Sequence, residues 1–308
     1  MTFGDLDRRS TLAANSLREA GVRPADRVAL LSKNHPAFFE LAFACSKIGA
    51  ILVGLNWRLA PAEIEVIVAD ADPTLIVVAG ELLPLLGPTA LTRGDRFRLL
   101  QLETEYESWI AGASTRDPMV PTDPDDTMLL LYTSGTTGVP KGVELTNHNL
   151  SFTERLAHEV WGFCDTSVNL VGMPMFHIGG IGYGMGAVLV GGHTVLIRDN
   201  DPTTIITSVQ RHAVTHGFFV PAVIQTIIAA PEVETANLSS LELVVYGAAP
   251  IGNAVLRNAI AVLGCSFMQN YGMTETAGTV VALPPSDHDP DDPDRSALCV
   301  RAAARSVG

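Results

Sequence analysis

Short apolar runs alternate with stretches of helical periodicity along almost the whole chain. Arg27–Ser32 has the length and composition of a buried strand, and Asn34-His35-Pro36 opens a helix behind it, with proline near the first turn, where its missing N–H leaves nothing unpaired. Ile51–Leu55 reads as the next strand, Pro61–Ala71 as the next helix, closed by Asp72-Pro73, and Leu75–Val78 as a third strand. Met128–Tyr132, Val168–Gly172, Thr194–Ile197, Gly217–Val220 and Leu243–Tyr246 continue the series, most with a helix-compatible segment after them. This alternation predicts an α/β fold with mostly parallel sheets flanked by helices and joined by right-handed crossovers.

Three stretches break the rhythm. Residues 112–126, rich in Pro, Asp, Ser and Thr, read as a surface connection. Residues 284–294 are acidic and proline-rich, and without an EF-hand spacing they read as a solvated loop, not a metal site. Ile178–Ile197 approaches transmembrane length, but it contains seven glycines and ends at Arg198-Asp199, so it reads as a buried helix turning into a strand; no transmembrane segment is expected.

Composition narrows the partners. At 308 residues the chain can form one large core or two smaller ones, since domains run to about 100–200 residues. A net charge of −13 argues against nucleic acid or an anionic membrane surface as partner, so any polyanion must be held by a local site. Lysine is scarce, confined to Lys33, Lys47 and Lys141. Cys45, Cys164, Cys265 and Cys299 are scattered, offer neither a zinc spacing nor a disulfide framework, and read as small buried hydrophobes in a reducing compartment. The N-terminus lacks a basic region followed by an apolar one, and a cytoplasmic location is expected.

Four segments carry candidate chemistry. In Leu131–Gly142 a strand runs into Thr133-Ser134-Gly135-Thr136-Thr137-Gly138 and then Lys141. Glycines let backbone N–H groups approach phosphate oxygens, hydroxyls donate further bonds, and the lysine supplies a point charge: a polyphosphate cradle, but not a Walker loop, whose lysine follows glycine and precedes Ser or Thr. The competing reading is a flexible surface loop. Gln269-Asn270-Tyr271-Gly272-Met273-Thr274-Glu275 follows the strand-like Ser266–Met268; Tyr271 can stack a base, Thr274 bond a phosphate and Glu275 hold a divalent cation, against a plain turn and cap. Val245–Pro250 runs a strand into Gly247-Ala248-Ala249, small residues that leave room for a planar group or serve close helix–strand packing. His177, in Met173–Gly182, is either a satisfied core histidine or a residue beside an open apolar channel left by the surrounding glycines.

In this order and at these separations, from about Thr2 to Pro284, the four segments closely resemble the adenylate-forming (AMP-binding) family of acyl-CoA synthetases, firefly-type luciferases and peptide-synthetase adenylation domains. The resemblance implies that Thr133–Lys141 is the ATP phosphate loop, that Thr133 and Glu275 help hold Mg²⁺, and that Thr274 contacts the α-phosphate. It implies that Gly247, Ala248, Ala249, Gln269, Asn270, Tyr271 and Gly272 belong to the adenine and acyl-carbonyl site. It matches His177 to a family histidine at the junction of the ATP and acyl sites. It further implies a carboxylic acid, ATP and coenzyme A as small-molecule partners, and leaves a homodimer open. The reaction it implies runs through acyl-AMP to an acyl-CoA thioester. Phe176-His177-Ile178-Gly179 lacks the aspartate by which amino-acid-activating relatives pair the substrate ammonium, and burying an unpaired ammonium costs several kcal/mol. The expected acid is therefore fatty or aryl, with Gly179, Gly180, Gly182, Gly184, Gly186, Phe218, Phe219 and Val220 suited to its chain.

The sequence departs from that family in three respects. No Thr-Gly-Asp motif follows Glu275, no lid domain is recognisable, and no lysine follows Lys141. The expectation is an incomplete large domain over residues 1–284, an acidic Pro-rich loop with an atypical tail over 285–308, and a truncation or frame change near Arg295. The family usually also has residues before the equivalent of Thr2. A catalytically inactive nucleotide- or acyl-binding remnant is the alternative. A kinase is disfavoured by the absence of Walker and protein-kinase signatures, and a Rossmann dehydrogenase by the absence of G-x-G-x-x-G after any strand.

Overall fold

Two six-stranded, mostly parallel sheets carry the described chain, which in the computed structural model comprises residues 1–87, 97–134 and 140–288. The sheets belong to two units, one formed by Met1–Ser151 with Met175–His177, the other by Phe152–Pro174 with the chain from Ile178 onward.

In the first unit β1 (Arg27–Leu31), β2 (Ile51–Gly54), β3 (Leu75–Val78), β4 (Arg98–Gln101), β5 (Thr127–Thr133) and β6 (Lys141–Thr146) stand in the order β4-β3-β1-β2-β5-β6. Neighbours are parallel except β5 and β6, which form an antiparallel hairpin at one edge. Val28–Leu31 and Leu75–Val78 have no exposed surface, as expected of central strands covered on both faces. Around this sheet lie α1 (Phe3–Glu19), α2 (Ala37–Ile48), α3 (Pro61–Ala71) and α4 (Tyr106–Ala111). The hydroxyl of Thr2 accepts from the Asp5 amide while the Asp5 carboxylate accepts from the Thr2 amide, a reciprocal cap that fixes the start of α1. Glu40, on α2 and 2% exposed, is a buried carboxylate with two partners: Arg9 of α1 at 2.7 Å and the Tyr106 hydroxyl of α4, which donates to it at 3.0 Å.

A fifth helix, α5 (Asn147–Arg155), carries the chain out of that unit. The second unit contains β7 (Val168–Val171), α6 (Ile178–Leu189), β8 (His193–Leu196), α7 (Pro202–His212), β9 (His216–Phe219), α8 (Pro221–Ala229), β10 (Leu243–Gly247), α9 (Asn253–Leu263), β11 (Ser266–Met273) and β12 (Gly278–Leu283). Their order is β12-β11-β10-β9-β7-β8, parallel except for the antiparallel pair β11–β12. The side chains of β10 alternate between two cores: Val244 and Tyr246 pack with Leu170, Phe219 and Phe267, whereas Leu243 and Val245 pack with Trp161, Phe163 and Tyr183. The chain runs from β7 outward to β8 and then back to β9 on the other side of β7, which makes β7/β9 the topological switch point of this sheet.

Ile178–Ile197 is a helix followed by a strand, and among the described residues no helix is long and apolar enough to cross a membrane. Residues 112–126 form an exposed to half-buried connection without regular structure. Two readings require correction. His288, assigned to a solvated loop, is 6% exposed: its Nε2 lies 3.0 Å from the Tyr246 hydroxyl and its Nδ1 2.8 Å from the Pro284 carbonyl. The rest of that acidic run, 289–294, lies outside the described residues. Cys164, expected to be buried like Cys45, is exposed, because it sits on the turn before β7 with its thiol beside Thr166 and Ser167; Cys299 lies outside the described residues.

Candidate active site

In the first unit the Thr/Ser/Gly-rich segment lies in sequence between β5 and β6. Thr133 ends β5, Lys141 begins β6, and the two are paired across the ladder. Directly opposed residues project to the same face with Cβ atoms about 5 Å apart, so a half-buried hydroxyl and an exposed ammonium flank the neck of the loop. At Gly142 a Cβ would stand 2.9 Å from the end of the Leu130 side chain and 3.3 Å from the Tyr132 ring. Tyr132 in turn donates to Asp70 at 2.6 Å; burial and that carboxylate raise its pKa, and the bond ties the hairpin to α3. Ser134 is exposed. Gly135, Thr136, Thr137 and Gly138 lie outside the described residues.

His177 is exposed, so the core reading of this residue does not hold. The segment bearing it is fixed by its neighbours: the Met175 amide donates to Asn34 at 2.9 Å, and Phe176, 2% exposed, lies edge-on to Trp57 with ring centroids 6.2 Å apart. Gly54 at the end of β2 permits this approach, since a Cβ there would be 3.0 Å from the Phe176 Cα. The His177 ring packs on Phe176 at 4.5 Å. Partial burial and the positive Arg58 lower its pKa, which leaves the imidazole neutral at pH 7. Trp57 carries two cations, Arg58 at 5.1 Å and Lys33 at 5.7 Å from its ring centroid. Sequence reasoning passed over this cluster; the available signal was an aromatic–basic pair, Trp57-Arg58, immediately beyond the carboxyl end of a parallel strand.

In the second unit the parallel register of β10 and β11 places Tyr246 opposite Gln269 and Gly247 opposite Asn270. Two segments separated by more than twenty residues in sequence thus meet at the carboxyl edge of the sheet, where open α/β sheets bind ligands. Gly247 is buried and a Cβ there would run into the Asn270 carbonyl, so the glycine serves close strand–strand approach. Beyond it Ala248 is exposed with a φ of +65°, a left-handed conformation that strains a non-glycine residue, and Ala249 is exposed. Gln269-Asn270-Tyr271-Gly272-Met273 is not a turn: it extends β11 to Met273, and Thr274–Thr276 form a single 3₁₀ turn into β12. The Thr276 hydroxyl pins that turn through the carbonyls of Met273 and Gly278. Tyr271 and Glu275 are exposed and Thr274 is half-buried, all on one hairpin with a bulge at Tyr271/Gly272. Asn270 is buried and donates to Thr279 at 3.0 Å, leaving its other side-chain atom, Oδ1, without a partner among the described residues.

The expected open channel along the glycines of α6 is not present. A Cβ at Gly180 would run into the Pro174 carbonyl, and one at Gly186 would stand 3.0 Å from the Trp161 ring, so these glycines let α6 pack closely. The room beside Gly179 is taken by the Phe218 ring, 3.2 Å from a Cβ built there.

No group of three or more His, Cys, Asp or Glu that could hold a metal occurs among the described residues. The oxygen donors of Thr133 and Glu275 are the hard type that Mg²⁺ takes alongside substrate phosphates and water.

Known proteins resemble this chain in sequence and fold. The chain is 34% identical to a fatty acid–[acyl-carrier-protein] ligase of Streptomyces coeruleorubidus over 94% of its own length and 56% of the relative's. It is 37% identical to a feruloyl-CoA synthase of Amycolatopsis sp. over 92% of its length and 56% of the relative's. It therefore spans about half the length of these curated relatives. The inhibitor-bound N-terminal domain of FACL13 from Mycobacterium tuberculosis superposes with a TM-score of 0.87 at 25% identity, covering 93% of this chain and 72% of that one. The profile of the AMP-binding enzymes matches residues 1–302, and the chain belongs to that family.

Proposed function

We propose that this chain provides the ATP- and acid-binding machinery of an enzyme that activates a carboxylic acid as acyl-AMP and transfers the acyl group to a carrier thiol. The reading rests chiefly on one observation: Thr133 and Lys141, which bound the hydroxyl- and glycine-rich segment in sequence, are paired across β5 and β6. A strand pair that brings a hydroxyl and an ammonium to one loop is built for polyphosphate. Residues 1–284 form the adenylate-forming domain in this reading.

The substrate carboxylate attacks the α-phosphorus of ATP, the bond to the β-phosphate breaks, and pyrophosphate leaves. Lys141 holds the charge of the phosphates without having to reorganise, and the half-buried Thr274 hydroxyl is the candidate donor to the α-phosphate. Gly247–Ala249 and Tyr271 receive the adenine and the acyl carbonyl. His177, neutral at pH 7, offers a hydrogen-bonding edge without repelling a cation. Mg²⁺, when bound, would supply charge neutralisation of the triphosphate; Thr133 of one unit and Glu275 of the other each offer an oxygen donor of the kind it takes. A thiol then displaces AMP. Coenzyme A is the proposed carrier, as the name of the feruloyl relative says of that protein; the name of the Streptomyces coeruleorubidus relative gives an acyl-carrier protein instead.

The test is calorimetric titration of the purified chain with a non-hydrolysable benzoyl-adenylate mimic, with AMP alone as reference. Saturable one-site binding, tighter for the mimic than for AMP, is expected. A chain that is folded by circular dichroism yet binds neither ATP nor the mimic refutes the proposal.

A further inference from the structure

Four strands stand at the margins of the two sheets: β4 and β6 in one, β8 and β12 in the other. Three of them expose a charged or ionisable side chain: Arg98 on β4, Lys141 and Glu144 on β6, His193 on β8. Such groups keep an open edge from pairing with another chain. β12 carries none, and its exposed residues are Val280 and Val281, at 53% and 60%. Its inner side is taken by β11, and its outer side has no partner strand among the described residues.

A bulge gathers apolar groups on the open face of this hairpin. Tyr271 pairs with Val281 and Gly272 with Thr279, which leaves Val280 as the extra residue. Two valines therefore stand opposite one tyrosine, and both are exposed where strict alternation would turn one inward. Tyr271 and Met273, on β11, are 43% and 47% exposed beside them. These are four of the ten exposed large hydrophobics among the described residues, the other six being spread over α1, α3, α5, α9 and the 112–126 connection. The hairpin's other face is turned inward: Asn270 is 6% exposed and donates to Thr279 at 3.0 Å, and Ala282 packs with the core around Tyr183.

The occupant this edge suits is another β12. Two chains of net charge −13 repel each other, so they can meet closely only where charge is absent, and no charged residue occurs from Thr276 to Ser286. Antiparallel pairing about a two-fold axis sets valine against valine and closes on itself, since the same edge serves both copies. The bulge at one end and Pro284-Pro285 at the other bound the free edge, so it admits one short strand and does not template a fibre.

We propose that β12 is a self-association edge through which two copies of this chain form a two-fold dimer, joining their second-unit sheets. The strand and the four apolar side chains make a contact smaller than the roughly 800 Å² per partner of a stable interface, so the dimer is weak and reversible.

The experiment is sedimentation velocity of the intact chain from about 1 to about 100 µM, a range that brackets micromolar association. The wild type should shift from monomer to dimer across it. Val281→Lys, which supplies the guard that β12 lacks, should be monomeric throughout, and Val281→Thr, which keeps strand propensity, should associate several-fold more weakly. Val66→Lys, at a comparably exposed valine of α3 (48%), should match the wild type. Added salt should tighten the dimer by screening the repulsion between the two chains. A wild type that stays monomeric, its edge left to a strand of some other polypeptide, overturns the proposal. A dimer undiminished in folded Val281→Lys or in Val281→Thr, or lost equally in Val66→Lys, overturns this surface. A dimer that loosens as salt is added rests on charge pairing and overturns the uncharged contact, and growth beyond the dimer overturns the closed pairing.

Discussion

Lowering the pH should destabilise this protein through a histidine that takes no part in the proposed chemistry. His216 opens β9 and is 3% exposed. Its ring stacks near Phe163, its Nδ1 lies 2.7 Å from the Thr215 hydroxyl, and a ring N–H is donated to the Trp161 carbonyl. Burial pushes its pKa down to about 4, despite that carbonyl. In the unfolded chain the same imidazole titrates near 6.5. The unfolded state therefore takes up a proton first, and stability that is fully present above about pH 6.5 is lost progressively as the pH falls toward about 4. At about 1.4 kcal/mol per pH unit the gap amounts to about 3 kcal/mol, of which about 2 kcal/mol is gone by about pH 5. Urea unfolding of the wild type and His216→Gln at about pH 7.5 and about pH 5 measures this, since glutamine keeps an N–H donor but takes up no proton. His177 and His288, whose pKa values burial also lowers, titrate in both proteins and cancel in the difference. Wild type should lose about 2 kcal/mol more than the variant over that interval. Parallel losses would falsify the depressed pKa of His216 and the argument built on it.

Two further outcomes bear on the site and its support. Lys141→Ala should weaken ATP binding by about 1–3 kcal/mol, because a charge-assisted contact is removed while the exposed position lets the hairpin keep its fold; calorimetry with ATP reads this directly, and an unchanged affinity excludes the lysine from the phosphate site. Gly180→Ala should cost about 2–3 kcal/mol, since the added carbon meets the Pro174 carbonyl and neither backbone can turn aside. Gly182→Ala, whose new carbon meets only the movable end of Ile178 at 3.1 Å, should be neutral or stabilising by up to about 1 kcal/mol, and thermal unfolding of the pair separates the two cases.

What the sequence revealed, and what it hid, follow from where each signal resides. Central strands such as Leu75–Val78 are covered on both faces and so are written as unbroken apolar runs. Two of the edge strands, β6 and β12, carry no such mark. Lys141–Thr146 buries only Leu145, and Val280 and Val281 of β12 are 53% and 60% exposed, so neither strand was predicted. The candidate phosphate-binding residues stood out because hydroxyl, glycine and lysine lie close together in sequence, and the structure pairs Thr133 with Lys141. His288 was misread because an acidic, proline-rich context describes only its neighbours in sequence, whereas its partner Tyr246 lies 42 residues earlier. The glycines of α6 were misread for a related reason. An absent side chain signals that something comes close, but not whether the neighbour is a ligand or, as at Gly180, the protein's own backbone.

The two hairpins explain why the segments with candidate chemistry stand where they do. A parallel strand normally hands the chain to a crossover helix, which covers the sheet face and draws the backbone away from the carboxyl edge. At β5 and β11 the chain instead turns back as an antiparallel strand at the sheet margin, β6 in one unit and β12 in the other. The return strand satisfies the backbone of the motif-bearing strand on its outer side. The strand ends that carry the motifs are thereby fixed on both sides. Thr133, Ser134 and Lys141 stand at one such turn, and Tyr271, Thr274 and Glu275 at the other. The same solution appears in two sheets whose strand orders differ, and in each it falls on the segment whose composition suits phosphate or nucleotide.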